Sequence, residues 1–202
     1  MENDERALLD RWCDGDGAAG NALLKQHFTA VYRFFKNKVD SDVDELVQET
    51  FLGCVRQRDH FRRQSSFRTY LFAIARNRLY DYWRHRAARG ADLDVHECSV
   101  ARLSTSAGGR LIRHDDRQRL LAALRTLPLE LQVLLELHYW DGLDSDQLAE
   151  IFEIEPPTVR TRMFRARQLL REQLEDTAGE PTPPSSADGL DAWARALRPD
   201  PP

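Results

Sequence analysis

Thr158-Val-Arg-Thr-Arg-Met-Phe-Arg-Ala-Arg-Gln-Leu-Leu-Arg-Glu-Gln-Leu174 is the stretch on which the fold of this chain turns. Read as a helix at about 100° per residue, it places Val159, Met163, Ala166 and Leu170 on one side. The opposite side carries Arg160, Thr161, Phe164, Arg165 and Gln168. An apolar side needs a partner to pack on. Arginines and an outward phenylalanine suit an anionic, planar ligand, and DNA offers both through its phosphates and base edges. Taken alone, the stretch fits a solvated amphipathic helix equally well, so its neighbours decide.

Just upstream, Asp144 with Gln147 three residues on can cap a short helix bearing Leu148, Ala149, Ile151 and Phe152. Glu153-Ile-Glu-Pro-Pro157 then leads into the arginine-rich helix, proline being suited to a first helical turn. A short helix, a tight turn and a longer helix with a polar outer face make a helix-turn-helix. Two more helices precede it. One runs from Leu111 to about Arg125 and stops before Leu127-Pro128; the other runs from Leu129 to Trp140, with Leu131, Leu134, Leu135 and Tyr139 inward. Asp141-Gly142 turns the chain. Residues 111–175 therefore read as one helical domain.

The N-terminal half reads as a second one. Residues 5–39 carry two helices, the first with Leu8, Leu9 and Trp12 inward, the second with Leu23, Leu24, Phe28, Val31, Tyr32 and Phe35, broken apart at Asp14-Gly-Asp-Gly17. Ser41 followed by Asp44 predicts a capped start to a third helix. That helix buries Val43, Leu46, Val47, Thr50 and Phe51 and displays Asp44, Glu45, Gln48 and Glu49. By sequence alone the acidic face is simply solvated. A basic connector containing Phe61 leads to a fourth helix, Phe67 to about Arg89, with Phe67, Tyr70, Leu71, Ile74, Ala75 and Tyr82 on its apolar side. Roughly opposite lie Thr69, Ala73, Arg76, Asn77, Tyr80 and Arg84. Arg76, Tyr80 and Arg84 follow one another at steps of four, an aromatic ring between two guanidinium groups. Such a stripe suits single-stranded nucleic acid, arginines meeting the backbone and rings accepting unstacked bases. The plainer reading is an ordinary four-helix core with surplus arginine outside.

Composition frames these two halves. The chain has 202 residues and a formal net charge of −4. Its charge is unevenly spread: ten arginines against Asp59 and Asp81 between Arg56 and Arg89, and five arginines with no acid between Pro156 and Arg171. Two basic patches on an acidic chain imply two contact points on one ligand and weak attraction to DNA overall. Residues 90–110, acidic and then small and polar, read as a flexible linker. Residues 176–202 form a Pro-rich extension in which Leu190 to Leu197 offers two turns of amphipathic helix, either docked or disordered. No run approaches the roughly 18 apolar residues of a membrane span, and the Met-Glu-Asn-Asp-Glu-Arg start opposes a signal peptide, so membrane insertion is not expected and the expected location is cytoplasmic. Cys13, Cys54 and Cys98 are odd in number and far apart, and His96 with Cys98 does not complete a ligand set; neither disulfide nor metal nor other cofactor is expected. No phosphate-cradling glycine loop or nucleophile set marks an enzyme.

Three motifs together resemble a known family. Asp42-Val-Asp-Glu-Leu-Val-Gln-Glu-Thr-Phe51 is similar to region 2.2 of sigma-70-family RNA polymerase sigma factors. Phe67-Arg-Thr-Tyr-Leu-Phe-Ala-Ile-Ala-Arg-Asn77, continuing to Asp81 and Arg84, resembles regions 2.3 and 2.4. Leu127-Pro, Gly142-Leu to Ala149-Glu150, and Thr158-Val-Arg-Thr-Arg with Arg165-Ala-Arg resemble region 4. In this order around a linker they resemble the extracytoplasmic-function (ECF) type. The resemblance covers roughly residues 5–88 and 111–175.

The resemblance implies an all-α chain: region 2 over 1–89, a linker over 90–110, region 4 over 111–175 and an extension over 176–202. It implies a non-catalytic promoter-recognition subunit that binds core RNA polymerase and directs promoter-specific initiation. Asp44, Glu45, Gln48 and Glu49 would meet the clamp of the largest polymerase subunit, and region 4 the flap of the second. Phe61 and Asn77 would meet the flipped base of the −10 element, with Arg76, Tyr80 and Arg84 beside them. Arg160, Thr161, Phe164 and Arg165 would read the −35 duplex. An anti-sigma factor is a further candidate partner. The alternative is a helix-turn-helix regulator that acts without docking on polymerase. Three positions depart from the family pattern: Tyr70 replaces a usual tryptophan, Glu153 a usual turn glycine and Glu155 a usual serine-like cap. A non-glycine at position 153 must either avoid positive φ or accept strain.

Overall fold

A glycine sets how the first two helices meet. The computed structural model describes residues 2–58, 66–87, 97–103, 116–175 and 186–199, and within them α1 spans Glu2–Cys13 and α2 Gly17–Lys36. A Cβ on Gly20 would stand 2.3 Å from Trp12 Cδ1, so α2 approaches α1 closely only because that side chain is missing. Trp12 in turn lies edge-on to Phe67, with ring centroids 5.9 Å apart. Between the helices the chain turns at Gly15, φ 101°, and Asp16 caps α2 by accepting from the backbone N–H groups of Ala18 and Ala19 at 2.9 and 3.1 Å.

Helix α3 spans Val43–Arg56 and α4 Phe67–Ala87. The cap expected from Ser41 does not form. Asp42 stands at the N-cap with φ 66°, its side chain makes no cap bond, and the Ser41 hydroxyl donates to Asp42 Oδ2 at 2.7 Å instead. The left-handed turn at Asp42 takes the chain out of the extended conformation in which a capping side chain can reach back to the first N–H groups. The inward face of α3 is Leu46, Val47, Thr50, Gly53 and Cys54, with Val43 and Phe51 only partly covered. Burial pushes the Cys54 thiol up to about 12.

Past the described part of α4, residues 97–103 carry α5, Val100–Leu103. These residues fall where a flexible linker is expected, yet Val100 is fully buried, and the Leu129 N–H donates to the Cys98 carbonyl at 2.9 Å. Val100, with Cys98 buried and Leu103 partly buried beside it, supplies a short apolar anchor that a periodicity argument cannot see. The C-terminal half contains α6, Asp116–Thr126; α7, Leu129–Asp141; α8, Ser145–Phe152; and α9, Pro156–Glu175. Helix α10, Ala187–Ala196, follows in the extension. The described elements are thus all helices, with one isolated bridge between Ser99 and Pro128.

The two helical halves close upon each other. Arg33 on α2 donates to Asp141 on α7 at 2.8 Å, and both side chains are almost wholly buried. Lys38, just after α2, has no exposed surface and pairs with Glu136 on α7, which also accepts from Asn37 at 3.0 Å and from Gln132 at 2.8 Å. Burial drives the Lys38 amine below its ordinary range, and the Glu136 carboxylate opposes that shift. Arg68 adds a second donor to Asp141 at 3.0 Å, and Arg125 on α6 reaches Asp40 at 2.8 Å. Buried pairs of this kind contribute little over apolar isosteres, but removing one partner costs about 3–5 kcal/mol. Around them the buried apolar side chains of both halves form one continuous cluster.

Candidate nucleic-acid interface

The turn between α8 and α9 begins with a well-made cap and ends on a strained residue. Asp144 accepts from the N–H groups of Asp146 and Gln147 at 3.0 and 2.9 Å, while Gln147 Oε1 accepts from the Asp144 N–H at 3.0 Å, completing the expected capping box. Helix α8 then stops at Glu153, whose φ is 56°. The left-handed conformation there costs an L-residue with a Cβ roughly 1–2 kcal/mol. The turn therefore keeps its left-handed geometry without the glycine that usually supplies it. Pro156 opens α9, and the Glu155 carbonyl accepts from the Thr158 and Val159 N–H groups at 2.9 and 3.2 Å. Proline at this position loses no hydrogen bond and presets φ for the first turn.

Helix α9 divides as its periodicity predicts. Val159, Met163, Ala166, Leu170 and Leu174 are buried, and Arg160, Thr161, Phe164, Arg165 and Gln168 all lie exposed on the outward side. Phe164 keeps 63% of its surface in solvent, the most of the exposed large hydrophobic side chains among the described residues. Thr161, exposed, donates to the Pro157 carbonyl at 3.1 Å. Two further arginines of the helix are engaged inside the protein: Arg162 pairs with Glu130, and Arg167 grips Asp191 of α10 through two hydrogen bonds of 2.8 and 2.7 Å. The same element thus spends two guanidinium groups on its own fold and presents Arg160 and Arg165 outward. Both have the length and fork geometry for base edges or phosphates in a major groove.

The stripe on α4 is differently placed. Asn77 and Arg84 are exposed, Arg84 beside Asp81 at 3.1 Å. Arg76 and Tyr80 are buried, at 8% and 3% exposure, beneath α8. Arg76 donates to the Ile151 carbonyl, to Asn77 Oδ1 at 3.2 and 2.9 Å and to Glu153 Oε1 at 3.3 Å. Its guanidinium stands 5.7 Å from the centroid of the Tyr80 ring and 5.6 Å from that of Phe152. Burial, reinforced by the negative charge of Glu130, pushes the Tyr80 hydroxyl pKa up, so the ring is neutral at any physiological pH. Phe61 lies outside the described residues.

Asp44, Glu45, Gln48 and Glu49 are all exposed on α3. Asp42, Glu45 and Glu49 line one wall of a groove of about 930 Å³ whose opposite wall includes Arg78, Tyr82 and Arg86 of α4. Leu103 of α5 also borders it. The periodicity of α3 makes the acidic face legible, but not the groove or the basic wall facing it. Neither Glu153 as a partner for Arg76 nor the seam residues Arg33, Lys38, Glu136 and Asp141 carry a local signal, because each finds its partner far along the chain.

Among the described residues no group of three or more His, Cys, Asp and Glu side chains is placed to hold a metal ion, and no described helix is long and apolar enough to cross a membrane.

Comparison with known proteins agrees with this geometry. Residues 22–89 match the model of Sigma-70 region 2, and residues 117–170 that of Sigma-70, region 4. The ECF RNA polymerase sigma-E factors of Salmonella typhimurium (strain LT2) and Escherichia coli (strain K12) are each 28% identical over 180 residues, covering 85% of this chain and 94% of theirs. The sigma-E factor of Haemophilus influenzae is 27% identical over the same length. Among solved structures, CnrH in complex with the cytosolic domain of CnrY superposes with a TM-score of 0.62 at 23% identity, covering 87% of this chain and 99% of that one. The sigma factor RpoE of Bartonella quintana, in complex with the anti-sigma factor NepR, gives 0.57 at 24% identity, over 77% of this chain and 94% of that one. The two region models, matched in this order over more than half of the chain, and the likeness to the sigma-E factors make this chain a member of the sigma-70 family of RNA polymerase sigma factors, of the ECF type.

Proposed function

We propose that the chain is a promoter-recognition subunit that joins core RNA polymerase, directs it to promoters and leaves the chemistry to the core. The observation that carries this reading is the outward face of α9: Arg160, Thr161, Phe164 and Arg165 on the second helix of a helix-turn-helix, downstream of a region 2 bundle. In this role the four side chains read the −35 duplex in its major groove. Phe61, Arg76, Asn77, Tyr80 and Arg84 capture the −10 element as single strand, rings taking bases and guanidinium groups taking phosphates. Asp44, Glu45, Gln48 and Glu49 dock on the clamp of the largest polymerase subunit, and region 4 docks on the flap of the second. The work is done in the cytoplasm, with an anti-sigma factor as the natural controller of such a subunit.

The energetics fit a subunit rather than a free DNA-binding protein. Opening a base step costs a few kcal/mol, and a stacked base returns about 1–3 kcal/mol, so melting needs the contacts of the whole enzyme. A regulator that reads duplex alone would leave the region 2 bundle and its arginine–tyrosine stripe without a task. The test is run-off transcription: purified chain added to core polymerase is expected to confer initiation at discrete start sites. Tight binding to duplex by the chain alone, with no association with core, would sink the reading.

A further inference from the structure

We infer that Arg68 and Arg198, backed by Arg33 and Asp141, form a binding site for a small phosphate-bearing anion. The site goes beyond the promoter-recognition role and uses none of the residues assigned to it. At its centre one carboxylate oxygen serves three guanidinium groups. Asp141 Oδ1 accepts from Arg33 at 2.8 Å and from Arg68 at 3.0 Å. A carboxylate oxygen has two lone pairs, so these two donors fill it. Arg198, just beyond α10, stands 3.8 Å from the same oxygen, within Coulombic reach but too far for a hydrogen bond. The Nε of Arg68 is buried and finds no acceptor among the described residues. A buried donor without an acceptor carries its full desolvation cost, which an anion beside it removes.

Charge identifies the class of ligand. Three guanidinium groups against one carboxylate leave a surplus of two positive charges at one point of an acidic chain. The neighbouring carboxylates do not cancel it. Glu136 is matched by Lys38, and Glu5, which feels the Arg68 charge, is held below its ordinary range chiefly by its hydrogen bond with His27. Partial burial and then the like charge of Arg33 hold the Arg198 guanidinium below its ordinary range, and the attraction of Asp141 does not make up the difference. A singly charged carboxylate would meet half of the surplus. A phosphate dianion meets all of it, and its tetrahedral oxygens can engage two guanidinium forks at once. Arg33 and Asp141, almost wholly buried, make the inner wall; Arg68 and Arg198, with 32% and 50% of their side chains in solvent, make the mouth. The four side chains come from α2, the first turn of α4, the last residue of α7 and the segment after α10. A phosphate bound there ties the C-terminal extension to the N-terminal bundle.

The experiment titrates the full chain with sodium pyrophosphate, ADP and sodium acetate at constant ionic strength by isothermal titration calorimetry, and follows amide exchange in α10. Pyrophosphate and ADP are both expected to bind and to slow exchange over Ala187–Ala196, and acetate to do neither. Tighter binding of ADP assigns the site to a nucleotide; equal or weaker binding assigns it to the inorganic ion. Arg198→Ala changes a half-exposed side chain beyond the last helix, so it is expected to fold and to lose about tenfold in affinity, the equivalent of one charge-assisted contact. Arg68→Ala leaves Asp141 its Arg33 partner and is expected to lose as much, with circular dichroism verifying its fold. Arg195→Ala, one turn away and directed at Asp191 and His138, is expected to leave the affinity unchanged. The inference is overturned if neither phosphate compound binds, if acetate binds as tightly as pyrophosphate, or if binding survives undiminished in both Arg68→Ala and Arg198→Ala. An equal loss in Arg195→Ala overturns it as well, since the ion would then be held by a diffuse basic surface. Failure of the promoter reading shows differently: a chain that binds pyrophosphate here but directs no transcription with core polymerase keeps the site and removes the proposed function.

Discussion

Arg165 shows how one side chain can be assigned by what its helix does with the others. Arg162 and Arg167, on the same helix, are committed to Glu130 and Asp191, while Arg165 stands exposed beside Phe164. Truncating Arg165 to alanine is expected to cost about 1–3 kcal/mol of discrimination at one base pair of the −35 element if it grips a base edge. Competition between matched and mutated duplexes for the holoenzyme reads that difference. A uniform loss across all sequences would make it a phosphate contact instead. The strain at Glu153 is legible in the sequence, because a residue with a Cβ stands where a tight turn favours glycine. Its partner is not, since Arg76 lies 77 positions away. The missing Ser41 cap teaches the converse: a capping pattern is a local inference, and the left-handed backbone at Asp42 removes its geometry.

At the scale of elements, α10 is the piece whose fate the sequence leaves undecided. Ten residues form too few turns to hold alone, so its order depends on docking. Leu190 and Ala194 are wholly buried, the Trp140 indole donates to the Ala194 carbonyl at 3.0 Å, and Tyr139 and Arg167 converge on Asp191. Burying a leucine contributes about 2 kcal/mol, which the polar contacts supplement. Burial works against charge on Asp191, but the hydrogen bonds from Arg167 and Tyr139 outweigh it and hold the carboxyl below its usual 3.8. A carboxyl lowered in the folded state stabilises above its unfolded value and loses that contribution as pH falls through the folded one. Docking of α10 should therefore be indifferent to pH from neutrality down to about 4 and be released only in stronger acid. The Trp140 indole N–H resonance follows it, and a transition near neutrality would refute the assignment of Asp191. Helix periodicity reveals nearly every other element, α9 most plainly because it buries one clean face, whereas α2 buries Arg33 and leaves Phe28, expected inward, exposed. It fails for α5, where one buried valine carries a turn of four residues.

At the scale of the whole molecule, the two helical halves are visible in composition while their contact is not. Acidic, small-residue sequence between two helical runs marks a boundary, but Arg33 with Asp141 and Lys38 with Glu136 pair residues about 100 positions apart, beyond the reach of local pattern. A cluster of buried side chains that runs through both halves should make them unfold together. Calorimetry of the full chain is expected to show one transition, and the double change Glu136→Gln with Asp141→Asn to split it into two. Two separate transitions in the unaltered chain would mean that the halves are thermodynamically independent.

The anchoring of Val100 has a consequence in the language of tethers. Fixing residues 97–103 against α6 and the first residue of α7 leaves nine positions of sequence between the last described residue of α4 and this anchor. Joined in one chain, the two halves have an effective concentration for one another in roughly the millimolar range. A nucleic acid arriving from bulk solution at micromolar concentration competes against that figure and loses. A partner that grips both halves at once is itself tethered after its first contact, and competes on equal terms. The anchor at Val100 thereby makes the contact between the halves easier to displace by a surface that grips both than by a ligand that grips one.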